Sequence, residues 1–236
     1  MSGHSKWSTI KHKKAAADNK RGQIFTKLGR AITIAAKEGG PEIGSNFKLR
    51  LAVDKARAVN MPKVNIERAI EKGSGQGEDG SLETVVYEGF GPSQVAVMVE
   101  VVTDNKNRTA AEIKKTFEWG GGHLGQPGSA SHLFHKKGRL LVEPQADIDS
   151  QMLKIIDLGV DEVEIIGEAV EVLVPAAKLA QTRDQLTQAG LVLKSAELIY
   201  KPQALVELDS DQETKLTEWL AGLEELDDVQ SVFTNW

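Results

Sequence analysis

Gln94-Val95-Ala96-Val97-Met98-Val99-Glu100-Val101-Val102-Thr103-Asp104 is the stretch on which the fold turns. Its β-branched density predicts a central strand over 95–103. Thr84 to Glu88 predicts a second strand just before it, followed by the turn Gly89-Phe90-Gly91-Pro92. On the other side, Asn105 to Arg108 is a polar turn. Thr109 is placed to cap a helix running through Trp119, with Ala110, Ile113 and Phe117 inward. Gly120 to Ser131 then reads as a glycine-rich loop.

Toward the C-terminus the alternation of short strands and helices repeats. His132 to Phe134 and Arg139 to Val142 read as strands around a Lys136-Lys137-Gly138 turn, and Ile148 to Leu158 as a helix. Glu162 to Ile166 and Ala169 to Val174 form a hairpin on Gly167. Ala176 to Ala189 is helical and Leu193 to Tyr200 a strand. Ala204 to Leu208, Asp211 to Glu224 and Val229 to Phe233 read as strand, helix and strand. That last trio is too small to stand alone and is expected to complete the sheet begun at 84–119.

Toward the N-terminus the period changes. Ile24, Leu28, Ile32 and Ala35 mark a helix over 23–37, stopped by Gly39-Gly40-Pro41. Ser45 or Asn46 caps the next helix, which buries Leu49, Ala52, Val53, Ala56 and Val59. After Asn60-Met61-Pro62 a third helix runs to about Lys72 and buries Val64 or Ile66, with Ala69 and Ile70. Gly73-Ser74-Gly75-Gln76-Gly77 reads as a flexible joint. The expected fold class is α+β and multidomain: an N-terminal three-helix domain followed by two α+β sheet-and-helix domains, one inserted in the other. The expected boundaries are 1–77, then 78–131 with 204–236, and 132–203 as the insert.

The formal charge of −5 hides an asymmetry. Residues 1–76 carry 16 Lys/Arg against 6 Asp/Glu, a balance of +10, and residues 77–236 carry 13 against 28, a balance of −15. A basic module joined to an acidic body points to a polyanionic partner for the module. Within it, Lys6, Lys11, Lys13, Lys14, Lys20 and Arg21 crowd the first two dozen residues, with Trp7, His4 and His12 among them. A run of like charge without an apolar period is either a solvated tail or a phosphate-binding surface. Trp7 inside the run suits stacking on an unpaired base, or else folds back onto the helices. Lys27, Arg30, Lys48, Arg50, Lys55 and Arg57 extend the basic character onto the helices. The helix pair around Asn60-Met61-Pro62 could form a helix-turn-helix. Lys63, Asn65, Arg68 and Lys72 offer few base-reading groups, however, and a plain three-helix unit is the better reading.

Other chemistries find little support. The chain has no cysteine, so disulfides, thiol catalysis and Cys-ligated metals are excluded. His123, His132 and His135 lack a ligand frame, so no metal site is expected. No catalytic arrangement and no cofactor motif can be argued, since Gly73-x-Gly75-x-Gly77 lacks the lysine of a phosphate-binding loop. No secretory signal or membrane span is expected, and the protein is expected in the cytoplasm. Asn105, Asn107 and Arg108 could form a second contact surface with the 120–131 loop, and the acidic domains could receive a protein partner.

Several long motifs are familiar in order. Gly-His-Ser-Lys-Trp at 3–7, the run 11–30, Asn60 to Gly75, Tyr87 to Pro92, Thr103 to Phe117 and Gly121 to Phe134 resemble the YebC family along essentially the whole chain. Where that pattern has Gly-Ser-Val followed by an aromatic, this chain has Gly128-Ser129-Ala130 and His132. The resemblance implies three domains and a non-enzymatic regulator. The family's bacterial members are described as probable transcriptional regulators, and its mitochondrial relatives as translational activators. The expectation is therefore a DNA-binding regulator of transcription, the alternative a ribosome-associated translation factor contacting ribosomal RNA or tRNA.

Overall fold

The structure is a computed structural model that describes residues 6–7, 19–76 and 82–236. It has the expected class: N-terminal helices followed by two antiparallel sheets with helices, one sheet unit inserted in the other. Two compact units emerge, one from residues 1–135 with 201–236, the other from 136–200.

In the first unit, helix α1 spans Asn19–Gly39, α2 Phe47–Ala58 and α3 Lys63–Glu71. Asn46 caps α2, its side chain accepting from the Leu49 amide at 3.0 Å. The three helices enclose an apolar core of Ile32, Leu49, Val53, Ala56, Met61 and Ile66, among others. Val59 and Val64 are 38% and 62% exposed, so α3 turns Ile66 and Ala69 inward instead. The glycine segment that follows is docked rather than free. Lys72–Gln76 forms a π-type turn, and a Cβ on Gly73 would lie 2.3 Å from the Thr33 carbonyl oxygen. Gly77 lies outside the described residues.

The sheet of this unit contains β1 (Glu83–Phe90), β2 (Ala96–Thr103), β3 (His123–Leu124) and a late strand, Val229–Thr234, in the order β3-β1-β2-late strand. β1 and β2 pair antiparallel from Glu83↔Thr103 to Phe90↔Ala96. The late strand pairs with β2 through Val97↔Thr234 to Val101↔Val229. Residues from both sides of the insertion thus build one sheet. Val97, Val99 and Val101 face α4 (Lys106–Trp119) and a late helix (Ser210–Glu225), meeting Ile113, Phe117, Leu216, Trp219 and Leu223. The alternate residue Val102 packs on Ile34 of α1 and on Leu82. β2 is therefore buried on both faces, as its unbroken apolar run requires.

Two local expectations are corrected here. Asn105, not Thr109, caps α4: its side chain accepts from the Arg108 amide at 3.1 Å, and Thr109 is buried one turn into the helix. Ala204 to Leu208 forms no strand. It is tied down singly, with the Val206 amide donating to the Asn235 carbonyl at 2.7 Å.

The second unit carries β4 (Phe134–Val142), α5 (Ile148–Ile156), β5 (Glu162–Ile166), β6 (Ala169–Pro175), α6 (Leu179–Gln188) and β7 (Leu193–Pro202), with sheet order β5-β6-β4-β7. Numbering on in chain order, the late helix is α7 and the late strand β8. β5 and β6 form the hairpin on Gly167, whose φ of 56° is left-handed. Lys136-Lys137-Gly138 is not a turn but the interior of β4, and His132 lies in a short 3-10 turn ahead of it. Gly138 pairs with Val174 there, and a Cβ on it would meet Leu179 Cβ at 2.8 Å. The glycine serves close helix–sheet packing, which local sequence does not distinguish from a turn signal.

Candidate nucleic-acid interface

The basic residues expected to bind nucleic acid fall into three sets. Lys11, His12, Lys13 and Lys14 lie outside the described residues, as does the side chain of Lys20. Arg21, Lys48, Lys55 and Arg57 are exposed. Lys48 and Lys55, like Arg50 and Arg57, are spaced seven apart on α2, about two turns, so each pair shares a side of the helix. Lys48 meets Glu38 at 2.7 Å and Arg57 meets Asp54 at 3.9 Å. Both pairs are solvent-exposed, so a phosphate could displace the carboxylate at little cost. Lys63, Arg68 and Lys72 add exposed cations on and just after α3. None of these seven is part of the apolar core that holds the helices together.

The third set is engaged inside the first unit. Trp7 is 3% exposed and belongs to the core under α7, its Nε1 donating to Glu224 Oε1 at 3.1 Å. The indole therefore has no face open to a base. Lys6 pairs with Glu213 and lies 5.4 Å above the Trp236 ring. Lys27 donates to the Glu224 carbonyl at 2.5 Å, and burial holds its ammonium below the usual lysine range against the pull of Glu224 and Asp227. Arg30 donates to the Asp227 carbonyl at 2.9 Å and pairs with Asp228. Arg50 braces its own loop, donating to the carbonyls of Ile43 at 3.3 Å and Gly44 at 2.5 Å. Lys27 and Arg30 fasten α1 to the acidic corner between α7 and β8.

Asp228 is the hub of that corner and had no signal in the sequence. It is 3% exposed and takes Arg30, Arg108 at 3.0 Å and the Thr109 hydroxyl. Burial pushes its carboxyl up, but the hydrogen bonds from Thr109 and Arg108 and the charge of Arg30 outweigh it and hold the group below the usual carboxylate range. Arg108 also meets Asp104 at 2.8 Å. Of the expected second contact, Arg108 is thus occupied and Asn105 is a helix cap, while Asn107 is exposed. A cleft of about 510 Å³ opens beside the hub. Its lining holds Asp104, Glu112, Glu225, Asp227 and Asp228 against Arg30 and Arg108, a balance that disfavours phosphate.

The glycine-rich loop is built on a second buried carboxylate. Glu88, 8% exposed, accepts from the amides of Gly128 at 3.1 Å, Ala130 at 2.9 Å and Ser131 at 2.8 Å. Burial raises its pKa, and the Ala130, Gly128 and Ser131 donors more than reverse this, leaving it lowered. Phe90 stacks on His123 at 5.4 Å where β1 meets β3. The loop is held in shape by these contacts. Among the described residues no group of three or more His, Asp or Glu is disposed to hold a metal, and no helix is long and apolar enough to cross a membrane.

Comparison with known proteins finds matches along nearly the whole chain. Residues 5–76 match the TACO1/YebC protein N-terminal domain, and residues 82–236 match the TACO1/YebC second and third domain. A probable transcriptional regulatory protein of Geobacter sulfurreducens is 47% identical over 236 residues, covering 100% of this chain and 96% of that protein. One from Chloroflexus aggregans, of the same description, is 44% identical over 241 residues, covering 100% and 95%. The crystal structure of a conserved hypothetical protein from Aquifex aeolicus superposes with a TM-score of 0.89 at 40% identity, covering 98% of this chain and 96% of that one. With helices, shared sheet and insertion all matched from end to end, this chain belongs to the TACO1/YebC family.

Proposed function

We propose that this protein is a non-catalytic regulator that binds nucleic acid through its N-terminal region, with DNA as the target and transcription as the process controlled. The carrying observation is the confinement of a +10 charge balance to residues 1–76, with Arg21, Lys48, Lys55, Arg57, Lys63, Arg68 and Lys72 all displayed to solvent. The ion pairs that Lys48, Arg57 and Lys63 make are solvent-exposed and can be exchanged for phosphates, and phosphate contacts supply most of the affinity of such a surface. Lys11, Lys13, Lys14 and Lys20 continue the same charge in sequence. The name carried by the relatives, probable transcriptional regulatory protein, supports the regulatory role and the choice of DNA. Few groups on α3 could read base edges, so sequence discrimination is expected to be weak. The net acidic charge of the remainder limits non-specific coating by nucleic acid, and its acidic faces offer a surface to a protein partner. The cytoplasm is the expected location.

Charge reversal tests the reading. Changing Lys11, Lys13, Lys14 and Arg21 to Glu is expected to abolish binding to duplex DNA while leaving the melting temperature unchanged. If five cations contact phosphates, wild-type affinity falls with a log–log salt slope of about −4.5. Retained binding at an unchanged melting temperature overturns the assignment. Selective binding to structured RNA with none to duplex DNA replaces the transcriptional reading with a translational one.

A further inference from the structure

The chain contains four tryptophans, and the structure separates them sharply. Trp7, Trp219 and Trp236 are 2–3% exposed, whereas Trp119 is 78% exposed. Its position is dictated from both sides. α4 turns Thr109, Ile113 and Phe117 onto the sheet, and Trp119 lies two residues past Phe117, about 200° around the helix. Just beyond, a Cβ on Gly120 would lie 2.2 Å from the Trp219 ring, so the chain leaves the helix along one fixed line. The amides of Gly120, Gly121 and Gly122 donate to Thr116 at 3.2 Å, Glu118 at 3.1 Å and Phe117 at 2.9 Å. The indole thus stands on rigid backbone with its faces in solvent. Lys115, one turn earlier, is exposed, and the neighbouring acid Glu118 is met by Lys114 at 3.8 Å. The exposed, stacked ring of His123 follows within the same short segment.

We infer that Trp119 is a stacking platform for an unpaired nucleotide base, with Lys115 serving the adjoining phosphate. The inference rests on the nucleic-acid-binding reading and gives it a second, aromatic contact away from the basic helices. An indole gains by stacking on any base, because every base presents a π face, and fixed backbone lowers the ordering cost of binding. The ligand class is a single-stranded stretch, whether RNA or an opened DNA strand.

The test follows intrinsic fluorescence and the anisotropy of end-labelled oligonucleotides together. The probes are oligothymidylate, oligouridylate and a DNA duplex of equal length. The other three indoles are buried, so quenching that is present in the wild type and lost in Trp119→Ala reports Trp119. The single-stranded probes are expected to quench it and the duplex is not. Trp119→Ala is expected to weaken single-strand binding about tenfold, with an unchanged melting temperature, and Trp119→Phe to retain most of it. Deoxy and ribo probes distinguish the two sources of single strand. An anisotropy rise without quenching, and with Trp119→Ala binding like wild type, overturns the inference while leaving the nucleic-acid reading intact. No anisotropy change with any probe overturns both.

Discussion

Glu88→Gln changes one oxygen of a buried carboxylate to an NH2 group and removes its charge. In the structure Oε1 accepts from Gly128, and Oε2 from Ala130 and Ser131. The best glutamine rotamer keeps its oxygen on the latter two and turns a donor toward the Gly128 amide. One charge-assisted hydrogen bond is lost and two are weakened, for a cost of about 2–4 kcal/mol. For a protein of this size that lowers the melting temperature by roughly 5–10 °C. The pH dependence has a definite sign. Because the folded pKa of Glu88 lies below its unfolded value, its stabilisation is complete above about pH 5 and is lost as pH falls through the folded pKa. The gap between wild type and Glu88→Gln is therefore wide near neutrality and closes in acid. Thermal unfolding across pH measures it, and hydrogen exchange at Gly128, Ala130 and Ser131 localises it. A gap independent of pH, or unchanged exchange at those amides, would refute the reasoning.

Three further outcomes follow from the same structure. Trp7→Ala empties a site that is 3% exposed and is expected to cost about 3–5 kcal/mol in unfolding free energy by denaturant titration, whereas a surface indole would cost almost nothing. Asp228→Asn is expected to cost about 2 kcal/mol near neutrality, with a difference from wild type that shrinks as pH falls below the usual carboxylate range, because its folded pKa is also lowered. Gly73→Ala forces a Cβ against the Thr33 carbonyl and is expected to destabilise the protein by about 1–3 kcal/mol; an unchanged melting temperature would mean that the 72–76 turn gives way as a loose joint does.

Much of the fold was readable where one segment decides its own state. The valine-rich run marks β2 as a buried strand by its own composition, while Asn46 caps α2 and Gly167 turns the β5–β6 hairpin through contacts within a few residues. Misreadings arose where a distant partner decides. Gly138 resembles a turn residue, yet Leu179 is what requires it. Gly73 resembles a linker, yet it lies on α1. Thr109 has a capping side chain, but Asp228, 119 residues later, draws its hydroxyl inward and leaves the cap to Asn105. The site shows the same limit. Charge patterning picks out the basic region as a whole, but it cannot separate cations facing solvent from those facing acids. Lys6 finds Glu213 and Trp7 finds Glu224, more than 200 residues away. Trp119 carried a signal, since its register departs from the Thr109–Ile113–Phe117 stripe, but only burial reveals how far it stands clear.

Crosslinking in cells, followed by sequencing of both the DNA and the RNA recovered with the protein, bears most directly on the proposed role. Enrichment at promoter DNA is expected, and it is expected to disappear when Lys11, Lys13, Lys14 and Arg21 are reversed to Glu. Enrichment on ribosomal RNA or tRNA without promoter signal would contradict the proposed role, and would make any effect on transcription a consequence of action at the ribosome.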